Sequence, residues 1–96
     1  MRERLRGRFV QTVQRVARRF EASGRWEEAI AWYTNGRNAD DLAEAFYQGL
    51  MRCYLETGQR AQGLLTYRRL RECLAAGIDV PPSPSSEALR RALETG

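Results

Sequence analysis

Gly24-Arg25-Trp26-Glu27-Glu28-Ala29-Ile30-Ala31-Trp32-Tyr33 is answered 34 residues later by Gly58-Gln59-Arg60-Ala61-Gln62-Gly63-Leu64-Leu65-Thr66-Tyr67. Each stretch opens on glycine, then places a small residue (Ala29, Gly63) and an aromatic one (Tyr33, Tyr67) at the same offsets. A glycine that takes the left-handed cap conformation ends one helix, and the amphipathic run behind it starts the next. Helical units recurring at this period stack side by side, because no single unit buries its apolar face alone. Such a stack is a scaffold that binds other molecules, and it argues against an active site.

Working outward, five helices are expected. The first spans about Arg4 to Ala22, with Leu5, Phe9, Val13, Val16 and Phe20 as its apolar stripe, widened by Val10 and Ala17. The second spans about Trp26 to Arg37, carries Glu27 and Glu28 where the helix dipole favours acids, and is weakened at its end by Gly36 and Asn38. The third opens at Asp41, which with Glu44 makes an Asp-x-x-Glu capping pattern, and buries Leu42, Phe46, Leu50 and Tyr54. The fourth spans about Arg60 to Ala75, buries Leu64, Tyr67, Leu70 and Leu74, and stops at Gly77. Val80-Pro81-Pro82-Ser83 is extended, since proline excludes helix and biases its predecessor away from it. Ser83 as N-cap and Pro84 at the first helical position then start a fifth helix with Ala88, Leu89, Ala92 and Leu93 on its buried face. Short connectors make neighbours antiparallel. The expected fold is all-α: two stacked antiparallel helical hairpins plus a C-terminal capping helix, as a single domain over residues 1–96.

Composition narrows the function. With 96 residues and 43% hydrophobic content the chain is one small folded domain. No apolar run approaches the ~20 residues of a membrane span, and the arginine-rich start lacks a signal core, so a cytoplasmic location is expected. The net charge is +4, and all 16 basic residues are arginine. Residues 1–25 hold eight Arg against Glu3 and Glu21, whereas residues 26–64 hold three Arg against six acids. An arginine-rich first helix attracts phosphate or carboxylate, or is simply a solvated face. Cys53 and Cys73, with no histidine in the chain, make no zinc site and read as free thiols of a reducing compartment. Without histidine there is no Ser-His or Cys-His pair, and no glycine-rich phosphate loop is present. The chain is expected to be no enzyme and to carry no cofactor or metal.

Numbered as tetratricopeptide repeats, the units start at Val10 and Glu44. Ala17 and Met51 then take the small position of the first helix, Phe20 and Tyr54 its aromatic, Ala29 and Gly63 the small position of the second helix, and Tyr33 and Tyr67 its aromatic. Met51 is large there, and Gly63 is its expected compensating neighbour. About residues 3–93 resemble the bacterial transcriptional activator domain, a tetratricopeptide-like module of antibiotic regulatory proteins and large signal-transducing ATPases. The resemblance rests on Leu5-Arg6-Gly7-Arg8-Phe9, Gly24 to Ile30, Leu42 to Tyr47, Leu50 to Tyr54, Tyr67 to Arg71 and Pro82-Ser83-Pro84. It implies a regulatory module from the C-terminal end of a larger regulator, beside a winged-helix or ATPase domain.

In such stacks the first helix of each hairpin lines a groove. That places Gln11, Gln14, Arg18, Gln48, Arg52 and Leu55 as candidate binding residues, with Arg18 and Arg52 as a short positive ladder for carboxylates or phosphates. Trp26 and Tyr33 read as core, and Trp32 as an exposed anchor for a partner. Three function classes follow. The first is a groove that docks a protein segment, a neighbouring domain of the same regulator or an anionic small-molecule effector. The second is a nucleotide second-messenger sensor, which a homodimer would serve by joining two grooves. The third is direct DNA binding through the fourth helix, with Arg60, Arg68, Arg69 and Arg71; Glu27 and Glu28 argue against it.

Overall fold

A computed structural model describes residues 2–95, with side chains from residue 6 onward. Five helices follow one another: α1 (Arg2–Ala22), α2 (Trp26–Ala39), α3 (Glu44–Glu56), α4 (Arg60–Gly77) and α5 (Pro84–Thr95). Helices α1, α3 and α5 form one layer, with α2 and α4 behind them. Each of the first two pairs is a hairpin, α2 packs on α3, and α5 packs on α3 and α4. The smallest dimension, 19 Å, is two helix diameters.

The repeated glycines are the hinges of this arrangement. Gly24 sits at φ +74° and Gly58 at φ +73°. The same long-reach bond closes both turns: Arg25 N–H donates to Phe20 O and Gln59 N–H to Tyr54 O, each at 2.8 Å. This left-handed closure reverses the chain within three residues and satisfies carbonyls that the ending helix leaves open.

The core has two halves that share α3. Val13, Ala17, Ala29 and Tyr33 of the first hairpin pack with Phe46, Leu50 and Cys53. Tyr47 and Met51, on the other side of α3, pack with Tyr67, Leu70, Leu74 and Leu93. Close approach across the hairpins depends on absent side chains. A Cβ at Gly49 would stand 2.3 Å from Cζ of the buried Tyr33 ring. One at Gly36 would stand 2.8 Å from Phe46, so Gly36 is a seat for that ring and α2 runs on to Ala39 instead of weakening there.

Several expectations are corrected. Leu5 lies outside the described side chains, and Phe9 is 38% exposed, meeting Phe46 edge-on at 6.1 Å. The α1 stripe is therefore centred on Val13 and Ala17. Gly63 also has a role not foreseen: a Cβ there would meet Leu93 at 2.6 Å, so Gly63 makes room for α5. The helix α3 begins at Glu44, with Ala43 as its N-cap and no side-chain cap bond. A turn at Asp40 takes up the local amides: Leu42 N–H donates to Asp40 Oδ1 at 3.2 Å.

The carboxylate of Glu44 is committed elsewhere. Its Oε2 accepts Ser83 N–H at 2.8 Å and the Ser86 hydroxyl at 2.5 Å, so α3 caps the start of α5 from across the fold. Gln48 adds Nε2 bonds to Ser83 Oγ at 3.2 Å and Ser86 Oγ at 3.0 Å. These bonds turn Ser86 fully inward and leave Ala88 exposed, against the apolar face expected of α5. At the other end Arg60 donates to the carbonyls of Leu93 (2.7 Å) and Glu94 (2.8 Å). Leu93 is buried and Leu89 half-buried, as expected.

Candidate functional site

The layer of α1, α3 and α5 places Arg18 and Arg52 at equivalent points of consecutive units, and the two line one hollow of about 490 Å³. Trp26, Leu55 and Leu89 supply its apolar wall, and Glu21 and Glu56 its acids. The hollow lies where α1 and α3 both end, at Ala22 and Glu56, and Leu89 of α5 closes it beside Leu55.

The two arginines differ in state. Arg52 is no free cation. Its Nη2 lies 3.1 Å from Glu21 Oε1, its Nε 3.3 Å from Glu21 Oε2, and Nη2 also donates to the Tyr33 hydroxyl at 3.2 Å. The other two of the five guanidinium N–H donors, those of Nη1, make no hydrogen bond among the described residues, on a side chain that is 29% exposed. Burial pulls the Arg52 pKa down, and the bond and charge of Glu21 more than offset it, so the net shift is upward. Burial and the same Glu21 charge push the Cys53 thiol up to about 12 and raise the Tyr33 phenol. The hollow thus has a fixed polar floor, a paired Arg52–Glu21 backed by a neutral thiol and phenol. Arg18 is exposed and makes no ion pair or side-chain hydrogen bond among the described residues. It is the free cation of the site.

The other candidates separate. Gln14 is half-buried and Gln11 exposed, the latter beside the start of α3. Gln48 is used by α5, whereas Gln11 and Gln14 make no side-chain hydrogen bond among the described residues. Trp32 is 39% exposed, on α2 and outside the lining of the hollow. Trp26 is half-buried and belongs to both the core and the hollow, so the sequence reading of it as core missed half its position. Glu21 and Glu56 were missed as site residues, and Leu89 was foreseen only as part of the buried face of α5. Glu21 occupies the place in unit one that Leu55 holds in unit two, and an acid one turn beyond Arg18 was the only local sign.

The helix offered for DNA reading has its first turn occupied, since Arg60 holds the end of α5. Arg71 and Arg90 lie over the Tyr67 ring at 5.9 and 5.7 Å, and Tyr67 donates its hydroxyl proton to Glu87. Among the described residues no group of three or more Cys, Asp or Glu could hold a metal ion. No described helix is long and apolar enough to cross a membrane.

Compared with known families, residues 1–94 match the model of the bacterial transcriptional activator domain. No curated protein and no solved structure matches the chain.

Proposed function

The chain belongs to the bacterial transcriptional activator domain family, and from that membership we propose that its hollow docks a protein segment and so sets the state of a larger transcriptional regulator. The family is regulatory and not an enzyme family. The segment that fits carries an apolar side chain for Trp26, Leu55 and Leu89 and a carboxylate for Arg18. The observation that carries this reading is Arg18 standing unpaired at the rim of a hollow whose second arginine is already neutralised. Glu56, the wall's acid without an ion pair among the described residues, disfavours a phosphate-rich nucleotide more than a peptide with a single carboxylate for Arg18. Docking moves the regulator only if the segment binds its two states with different affinity. The partner segment lies in another domain of the same regulator or in a second cytoplasmic protein.

The test is genetic and biochemical. Cells whose gene carries Arg18→Glu are expected to show the transcript changes that follow deletion of the gene, with the variant's helicity by circular dichroism unchanged. The fold tolerates this change because Arg18 is exposed and unbonded. Transcript profiles identical to wild type would remove the hollow from the mechanism.

A further inference from the structure

Helix α1 turns Val13 and Ala17 inward and leaves the opposite arc open. Arg8, Arg15 and Arg19 stand in that arc, and all three are exposed. At about 100° per residue they fall within about 40° of one another, and at 1.5 Å per residue the row is about 16.5 Å long. Gln11 and Thr12, also exposed, fill the gaps. None of the three arginines makes an ion pair or side-chain hydrogen bond among the described residues. The neighbouring acids are taken: Asp40 by Arg6, Glu21 by Arg52 and Glu28 by Arg25. The row is therefore an uncompensated strip of like charge, and Arg15 and Arg19, one turn apart, repel each other. A partly exposed aromatic, Phe9, lies about 80–120° round the helix from the three arginines, toward Val13, with its ring edge-on to Phe46.

We propose that this strip docks an acidic amphipathic helix of a partner protein, with carboxylates at spacings of seven and four residues to match Arg8, Arg15 and Arg19. Helices lying 8–10 Å apart bring such carboxylates within reach of the guanidinium forks, which grip two oxygens at once. Arginines beside an exposed phenylalanine have the composition of a protein interface, where aromatic and arginine residues dominate binding. A phosphate backbone makes no use of Phe9. The strip is separate from the hollow, since none of its three arginines lines it.

The test uses the full chain and three fluorescent probes in anisotropy titrations at 50 and 200 mM salt. One is a 20-residue helical peptide with glutamates at the matched spacing and leucines on one flank. The second has glutamine in place of each glutamate, and the third is a 20-base-pair duplex DNA. The glutamate peptide is expected to bind at least tenfold more tightly than the glutamine peptide and the DNA. Arg15→Glu with Arg19→Glu, both exposed and unbonded, should weaken it at least tenfold while circular dichroism stays that of wild type. Equal binding of the two peptides, no effect of the double reversal, or no binding by any probe overturns the proposal. Tighter binding to DNA that the reversal abolishes overturns it too, and makes the strip a nucleic-acid surface.

Discussion

Replacing Glu44 by alanine removes the acceptor that holds the start of α5. Two bonds are lost, from Ser83 N–H at 2.8 Å and from the Ser86 hydroxyl at 2.5 Å. A hydrogen bond to a charged group contributes about 1.5–3 kcal/mol, and two at one atom do not add fully. Ser86 is completely buried; its oxygen still accepts from Gln48 Nε2 at 3.0 Å, while its proton loses its acceptor. Together these place the cost of Glu44→Ala at about 3 kcal/mol. In a domain of this size that is a drop of roughly 12–24 °C in Tm. Glu44→Gln keeps an acceptor and loses the charge, so about half that cost is expected. Asp41→Ala is the control. The sequence pattern makes Asp41 the cap of α3, yet its carboxylate accepts no hydrogen bond among the described residues, and its removal is expected to cost within about 0.5 kcal/mol. Thermal unfolding by circular dichroism measures all three variants. Hydrogen exchange at Glu87, whose amide bonds to Ser83 O at 3.0 Å, locates the loss in α5. Equal costs for Asp41→Ala and Glu44→Ala would restore the local capping box and refute the clasp. A cost for Glu44→Ala below about 1 kcal/mol would mean that Leu93 alone holds the helix.

Gly49→Ala drives a methyl into the buried Tyr33 ring, whose hydroxyl is tied to Arg52, and is expected to cost about 3 kcal/mol or more in urea unfolding. Gly7→Ala in α1 meets nothing within 4 Å and is expected to stabilise by about 0.5–1 kcal/mol, the ordinary helix preference. Acid unfolding tests the Arg6–Asp40 pair, in which the Arg6 bond, against the opposing effect of burial, does most to hold the Asp40 carboxyl below the usual carboxylate range. A carboxyl depressed by folding stabilises above its unfolded pKa and ceases to do so as pH falls through its folded one. Wild type should therefore lose stability below about pH 4 more steeply than Asp40→Asn; parallel acid limbs would show the pair to be without effect.

Periodicity made the five helices legible, and the 34-residue echo made their pairing legible, because both depend on apolar faces and on two glycines that only a left-handed turn requires. What stayed hidden were partners far apart in the chain. Glu44 and Ser86 are 42 positions apart and Arg52 and Glu21 are 31, so no local pattern announces either pair. Local logic made Glu44 part of a capping box and Arg52 a free rung of a ladder; each found a better partner across the fold. Gly36, Gly49 and Gly63 were opaque for the same reason, since the rings and methyls seated on them come from other helices. The candidate site was thus half legible: Arg18, Arg52 and Leu55 converge, Gln48 is spent on α5, and Glu21, which neutralises Arg52, is brought there by the fold alone.

Glu44 and Arg60 grip the two ends of α5 from helices whose separation the core dictates. The fifth helix is thereby gauged, like a bolt cut to the span between two lugs: its 12 residues reach about 18 Å. One residue inserted within it would carry its tail past Arg60 and swing Leu93 about 100° off the seat at Gly63. Lengthening the Pro81-Pro82 connector would disturb neither grip. Evolution and protein engineers alike are left free with the strand of chain leading to this helix, and bound to the helix's own count.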